Sequence, residues 1–154
     1  MVLELFFKSI AAFLETVGLC ILFHAPVKQY AVCGLTGVLG WIVYYITGLW
    51  VSDTVAAFFA SLIIALAARF FAVWRKVPSN MFIISGIFPV IPGLGIYNMI
   101  YELMNGSGSD ALSIGLDTFK VIIAMVLGIV GAFIIPNEVF SRIGKKMHPA
   151  DGGK

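Results

Sequence analysis

Apolar residues run in five long blocks separated by short polar punctuation. The first covers about residues 3–24 and stops at Pro26, and the second covers about 30–50. The third, about 54–76, is closed by Arg75, Lys76 and Pro78; the fourth, about 80–104, precedes the polar loop NGSGSD at 105–110. The fifth, about 112–135, ends before Pro136. Each block is near the roughly 20 residues that cross a bilayer as a helix. In lipid every backbone polar group needs an internal partner, so blocks of this length predict helices. The alternating ten-residue strands of a transmembrane barrel are absent. The expected fold is all-α: a polytopic transmembrane bundle of five spans over residues 1–139, with a basic tail at 140–154.

Composition removes the alternatives. The chain of 154 residues is 60% apolar and 12% charged, with a mean hydropathy of +1.02. A soluble domain is about 45–50% apolar and about 25% charged. Too little polar surface remains to cover a core in water, so a soluble domain, a disordered chain, a nucleic-acid module and a disulfide-stapled secreted domain are all excluded. Cys20 and Cys33 lie in apolar stretches without CxxC spacing and read as small buried residues. The first block lacks a basic lead and a small-residue cleavage site, so it reads as a retained helix rather than a signal peptide.

The net charge of +2 matters less than its placement. With five crossings, one side receives the N-terminus, the 50–53 turn and the 105–111 loop, with Glu4, Asp53, Asp110 and nearby Glu102. The other side receives Lys28, Arg75, Lys76, Arg142, Lys145 and Lys146. Positive loops stay in the cytoplasm, so the N-terminus is expected outside and the C-terminus inside.

Small residues recur at helical spacing: Gly34, Gly37 and Gly40 in the second span, Ala56, Ala60 and Ala67 in the third, Gly128 and Gly131 in the fifth. Such faces let backbones approach closely in lipid. Packing within one subunit and an interface between subunits, including a homo-oligomer, both fit them.

Candidate chemistry concentrates in the fourth span. Within SGIFPVIPGLGIY at 85–97, Pro89 and Pro92 remove backbone donors while Gly93 and Gly95 add freedom, so a regular helix is not expected to continue through it. Broken backbone at membrane depth is tolerated where it is packed in protein or lines a wet cavity, and half-helix ends hold small substrates in transporters. Both a packed kink and a substrate path fit this segment; Ser85, Tyr97 and Asn98 stand beside it as hydrogen-bonding groups.

Charges inside the spans add a second set of candidates. Glu15, near the middle of the first span, is too short to snorkel and needs a donor, a wet cavity or a proton; it is a candidate for coupling or for contacting a cation, or else a structural carboxyl. Lys8 and Arg69 are expected to snorkel to the nearer boundary. Asp117 and Lys120, at i and i+3, can form a local pair, and Lys120 can alternatively draw a carboxylate substrate into the vestibule.

Catalytic signatures are absent: no GxSxG, HExxH or GxxxxGK[ST], and GLG at 93–95 does not extend to GxGxxG. His24 and His148 make no metal pair, so neither a metal nor a cofactor is expected, and no enzyme is indicated. Asn105-Gly-Ser107 is formally a glycosylation sequon, a short and weak match.

At PxxPGxxxY, carried by Pro89, Pro92, Gly93 and Tyr97, the sequence resembles the threonine/serine exporter family, and within it the small membrane-only subunit of the two-component type. The likeness extends to Ala60-Ser61, Ala68-Arg69, the run VPSNMFIISGIFPVIPG from Val77, and GIVGAFIIP ending at Pro136. It implies export of small polar metabolites, threonine and serine or dicarboxylates such as succinate, across the bacterial inner membrane together with a larger partner subunit. The rival reading is a scaffold subunit that stabilises its partner without transporting. The surroundings expected are the bilayer, not nucleic acid.

Overall fold

A computed structural model describes residues 2–106, 108–136 and 140. The expected tail, with Arg142, Lys145, Lys146 and His148, therefore lies outside the described residues apart from Phe140, as does Ser107 of the sequon. The described chain is helical throughout: α1 (Val2–Leu22), α2 (Tyr30–Gly48), α3 (Asp53–Arg75), α4 (Ser79–Ile87), α5 (Gly93–Asn105) and α6 (Gly108–Ile134), with 3-10 turns at Val27–Gln29 and Phe88–Val90. Helices α1, α2, α3 and α6 are each long and apolar enough to cross a bilayer. The α4 and α5 pair makes a fifth candidate span bent by 55°. At 1.5 Å per residue neither half reaches across the roughly 30 Å core alone.

The ends follow from local chemistry. Beyond α1, His24 takes a left-handed conformation (φ 54°) and the Ala25 amide donates to the Cys20 carbonyl at 2.9 Å, closing the helix two residues before the expected boundary at 24. Helix α6 begins at Gly108 rather than near 112. Asp110 in its first turn suits the positive end of the helix dipole, and with Asn105 closing α5, four of the six residues of the expected NGSGSD loop are helical.

Helix α3 is the centre of the bundle and packs against α2, α4 and, most extensively, α6. Its Ala56, Ala57, Ala60, Ser61, Ala65 and Ala68 are fully buried, so small side chains bring the neighbouring backbones close. A methyl group added at Gly128 of α6 would fall on Ser61 Oγ and the Phe58 carbonyl of α3. On α2, Gly34 faces Phe13, Gly37 faces Thr16 and Gly40 faces Ile64, so these glycines are used for packing within one chain. Gly131 is looser, with Leu62 Cδ1 at 3.6 Å from the added methyl.

Buried hydroxyl side chains bond to their own helix. Thr16, Thr36, Ser85 and Thr118 donate to the carbonyls of Ala12, Val32, Met81 and Ile114 at 2.7–2.9 Å. Large apolar residues such as Phe6, Leu14, Leu116, Val126 and Leu127 stand exposed on the outside, as a lipid-facing surface requires. Helix α5 differs from the rest: it packs chiefly on α6 and buries none of its residues.

Candidate functional site

The break between α4 and α5 falls at the two prolines. Pro89 sits inside the 3-10 turn, Ile91 turns extended (ψ 131°), and α5 restarts at Gly93 with Pro92 preceding it. Pro92 offers no side-chain cap, and the first amide of α5, that of Gly93, donates to the Ile91 carbonyl at 2.7 Å.

Among the described residues, cavities follow this broken span in chain order. The first, about 280 Å³, lies between the end of α1 and α4; Cys20, His24 and Pro26 face Met81, Ile84 and Ser85. The second, about 190 Å³, is lined by Lys8, Ala11, Ala12 and Glu15 of α1, Trp41 of α2 and Pro89. The third, about 510 Å³, lies at the end that carries the 49–52 turn. Pro92, Leu94 and Gly95 form one wall of it, and Tyr44, Asp117, Thr118 and Val121 another. Ser52, Asp53 and Thr54 at the start of α3 complete it. Two helix starts, of α3 and α5, thus open on this cavity together with two carboxylates and four hydroxyl groups.

The residues singled out in the sequence distribute unevenly over this frame. Pro89, Pro92, Gly95, Glu15, Asp117 and Ser85 line one cavity or another. Ser85 gives its hydroxyl hydrogen to the Met81 carbonyl at 2.7 Å. Tyr97 and Asn98 lie exposed on α5, away from the cavity walls, with Tyr97 stacked on Tyr101 at 6.2 Å. A methyl at Gly93 would meet open space, whereas at Gly95 it would stand 2.5 Å from Thr118 Oγ1. Lys120 pairs with Asp117 at 2.8 Å along one exposed face. Lys8 reaches back one turn to Glu4 at 2.6 Å, toward the helix end.

Arg69 departs from expectation. Its head is not exposed: Arg69 is 5% exposed, donates to the carbonyl of Ala132, and lies over the rings of Phe133 and Phe140 at 5.2 and 4.4 Å. The last turn of α6 has carbonyls without helical partners and a negative dipole end, both of which attract a guanidinium.

A family model described as "Threonine/Serine exporter, ThrE" matches residues 8–135. The chain belongs to the threonine/serine exporter family. It is accordingly a multi-pass membrane protein of a transporter family. No curated protein and no solved structure matches the chain. The stretch matched to the ThrE family contains every residue lining the three cavities.

Several residues of these cavities escaped the sequence reading, Tyr44 and Thr118 among them. Trp41 is apolar in character and inconspicuous in an apolar span, and Ser52-Asp53-Thr54 reads as an ordinary turn. The visible signal was that this polar triplet sits at the same end as the second half of the broken span.

Proposed function

We propose that this chain is the small membrane subunit of a secondary exporter, carrying small polar metabolites out of a bacterial cell through the inner membrane beside a larger partner subunit. The observation that supports it best is the succession of cavities along one broken span, at Met81 to Ser85, at Pro89, and at Pro92 to Gly95. Discontinuous helices beside polar cavities are the usual way transporters hold a small charged solute at depth. The substrate class is threonine or serine, with dicarboxylates such as succinate as the alternative set. The positive end of α5 suits a substrate carboxylate, and Asp53 or Asp117 suits an ammonium group. Glu15, in the middle cavity, is the group best placed to take up a coupling proton. The end bearing Lys28, Arg75 and Lys76 faces the cytoplasm in this reading, since positive loops are retained there.

The test is efflux of threonine, serine and succinate from loaded cells expressing this chain alone, with a larger subunit of the same family, or with neither. Flux that needs both chains supports the two-subunit exporter and narrows the substrate. No flux under any condition, with the two chains still co-purifying, favours the scaffold.

A further inference from the structure

Two of the cavities along the break have separate linings, and a pair of touching rings on α2 contributes one ring to each. Trp41 lines the cavity that holds Glu15 and Pro89. Tyr44, one turn along the same face of α2, lines the cavity that holds Pro92 and Asp53. Their ring centroids are 5.8 Å apart, tilted by 35°, so a ring from each cavity's wall is in contact with a ring from the other's. Both residues are half-buried, and neither is locked by a hydrogen bond between them. The Trp41 indole N–H is shielded from solvent and has no acceptor among the described residues. A shielded donor without an acceptor is a strained arrangement that a swung ring relieves by reaching water or a polar solute. On the other side, Tyr44 rests against the cluster of Ala57, Ala60 and Val90, and Val90 belongs to the 3-10 turn between α4 and α5. The Tyr44 side chain thus packs against the same cluster as the turn that breaks the span.

We propose that Trp41 and Tyr44 form the barrier between the two chambers, closed here, and that it must part for a solute to pass between the Asp53 chamber and the Glu15 chamber. This rests on the reading that the broken span lines the path, and the experiment separates the two. Single cysteines are placed at Glu15 and at Thr54, one in each chamber, in the full-length chain in native membranes. Their reaction with a membrane-impermeant trimethylammonium methanethiosulfonate is timed from each face, against the wild-type chain, whose Cys20 and Cys33 are buried.

A conformation that is open only about 0.1–10% of the time gains at least about tenfold in reactivity when its barrier is removed. From the face that labels Thr54→Cys, Glu15→Cys should react slowly, and Trp41→Ala should raise its rate by at least that factor. Tyr44→Ala should do the same from the other ring, and serves if Trp41→Ala does not insert. An unchanged Glu15→Cys rate in both ring variants, or a rate already as fast as at Thr54→Cys, overturns the barrier and leaves the path standing. Thr54→Cys unreactive from either face overturns the path, and the barrier with it.

Discussion

Arg69 of α3 holds the last turn of α6 by donating to the carbonyl of Ala132. The guanidinium is buried against Phe133 and Phe140, so a charge inside the bundle is satisfied by a helix end and two aromatic faces. This fastening joins the two most extensively packed helices at the end remote from the Asp53 chamber.

Arg69→Leu should therefore destabilise the protein in detergent by about 2 kcal/mol or more, the scale of a lost hydrogen bond to a charged group. Arg69→Lys should recover only part, because an ammonium lacks the planar stacking surface. Thermal unfolding of the three proteins checks it; a Leu variant as stable as wild type would show that the contact is incidental.

The contrast between two glycines tests how α3 and α6 meet. Gly128→Ala places a methyl against backbone and should cost about 1–3 kcal/mol, the usual range for overpacking. Gly131→Ala has room, with 3.6 Å to the nearest atom, and should be close to neutral. Equal effects in unfolding assays would mean that the two helices pack in another register.

Helix α5 is positioned through Gly95 and Thr118. Gly95→Ala should lower stability, and Thr118→Ala, by removing the hydroxyl 2.5 Å from the new methyl, should restore part of the loss. A double-mutant cycle should give a coupling of about 0.5 kcal/mol or more. Strict additivity would detach α5 from this face of α6.

Charge in the Asp53 cavity is expected to serve flux rather than folding. Asp117 and Lys120 are exposed over most of their side chains, and such pairs contribute about 0–1 kcal/mol. Asp53→Asn and Asp117→Asn should leave melting temperatures near wild type and reduce efflux by about tenfold or more, as loss of a charge-assisted contact does. Unchanged efflux in both would move the ammonium contact elsewhere.

The architecture was readable because lipid leaves few options: continuous apolar blocks must be helices, and Pro89 with Pro92 must interrupt one. Four spans, a broken fifth candidate, and the self-contained pair Asp117–Lys120 follow from spacing alone. Partners across helices do not. Whether Gly37 met Thr16 or a second subunit, and whether Arg69 reached a boundary or the end of α6, depended on how helices rotate about their axes. Apolar faces are visible in sequence only against a polar side, and a helix surrounded by lipid has none. For the same reason Trp41 was hidden among apolar neighbours, while Tyr97 and Asn98 drew notice through polarity yet lie away from the cavities.

The most direct test of the central claim, that the broken span lines the transport path, is efflux through a chain carrying Leu94→Trp. Leu94 is 73% exposed and lines the cavity at the start of α5, so a larger ring fills the chamber without disturbing the core. At equal membrane levels and with the partner subunit present, efflux of the transported metabolite should fall by at least about tenfold, the effect of ~1.4 kcal/mol added to the barrier. Wild-type efflux through Leu94→Trp would contradict the account and leave α4 and α5 as packing elements only.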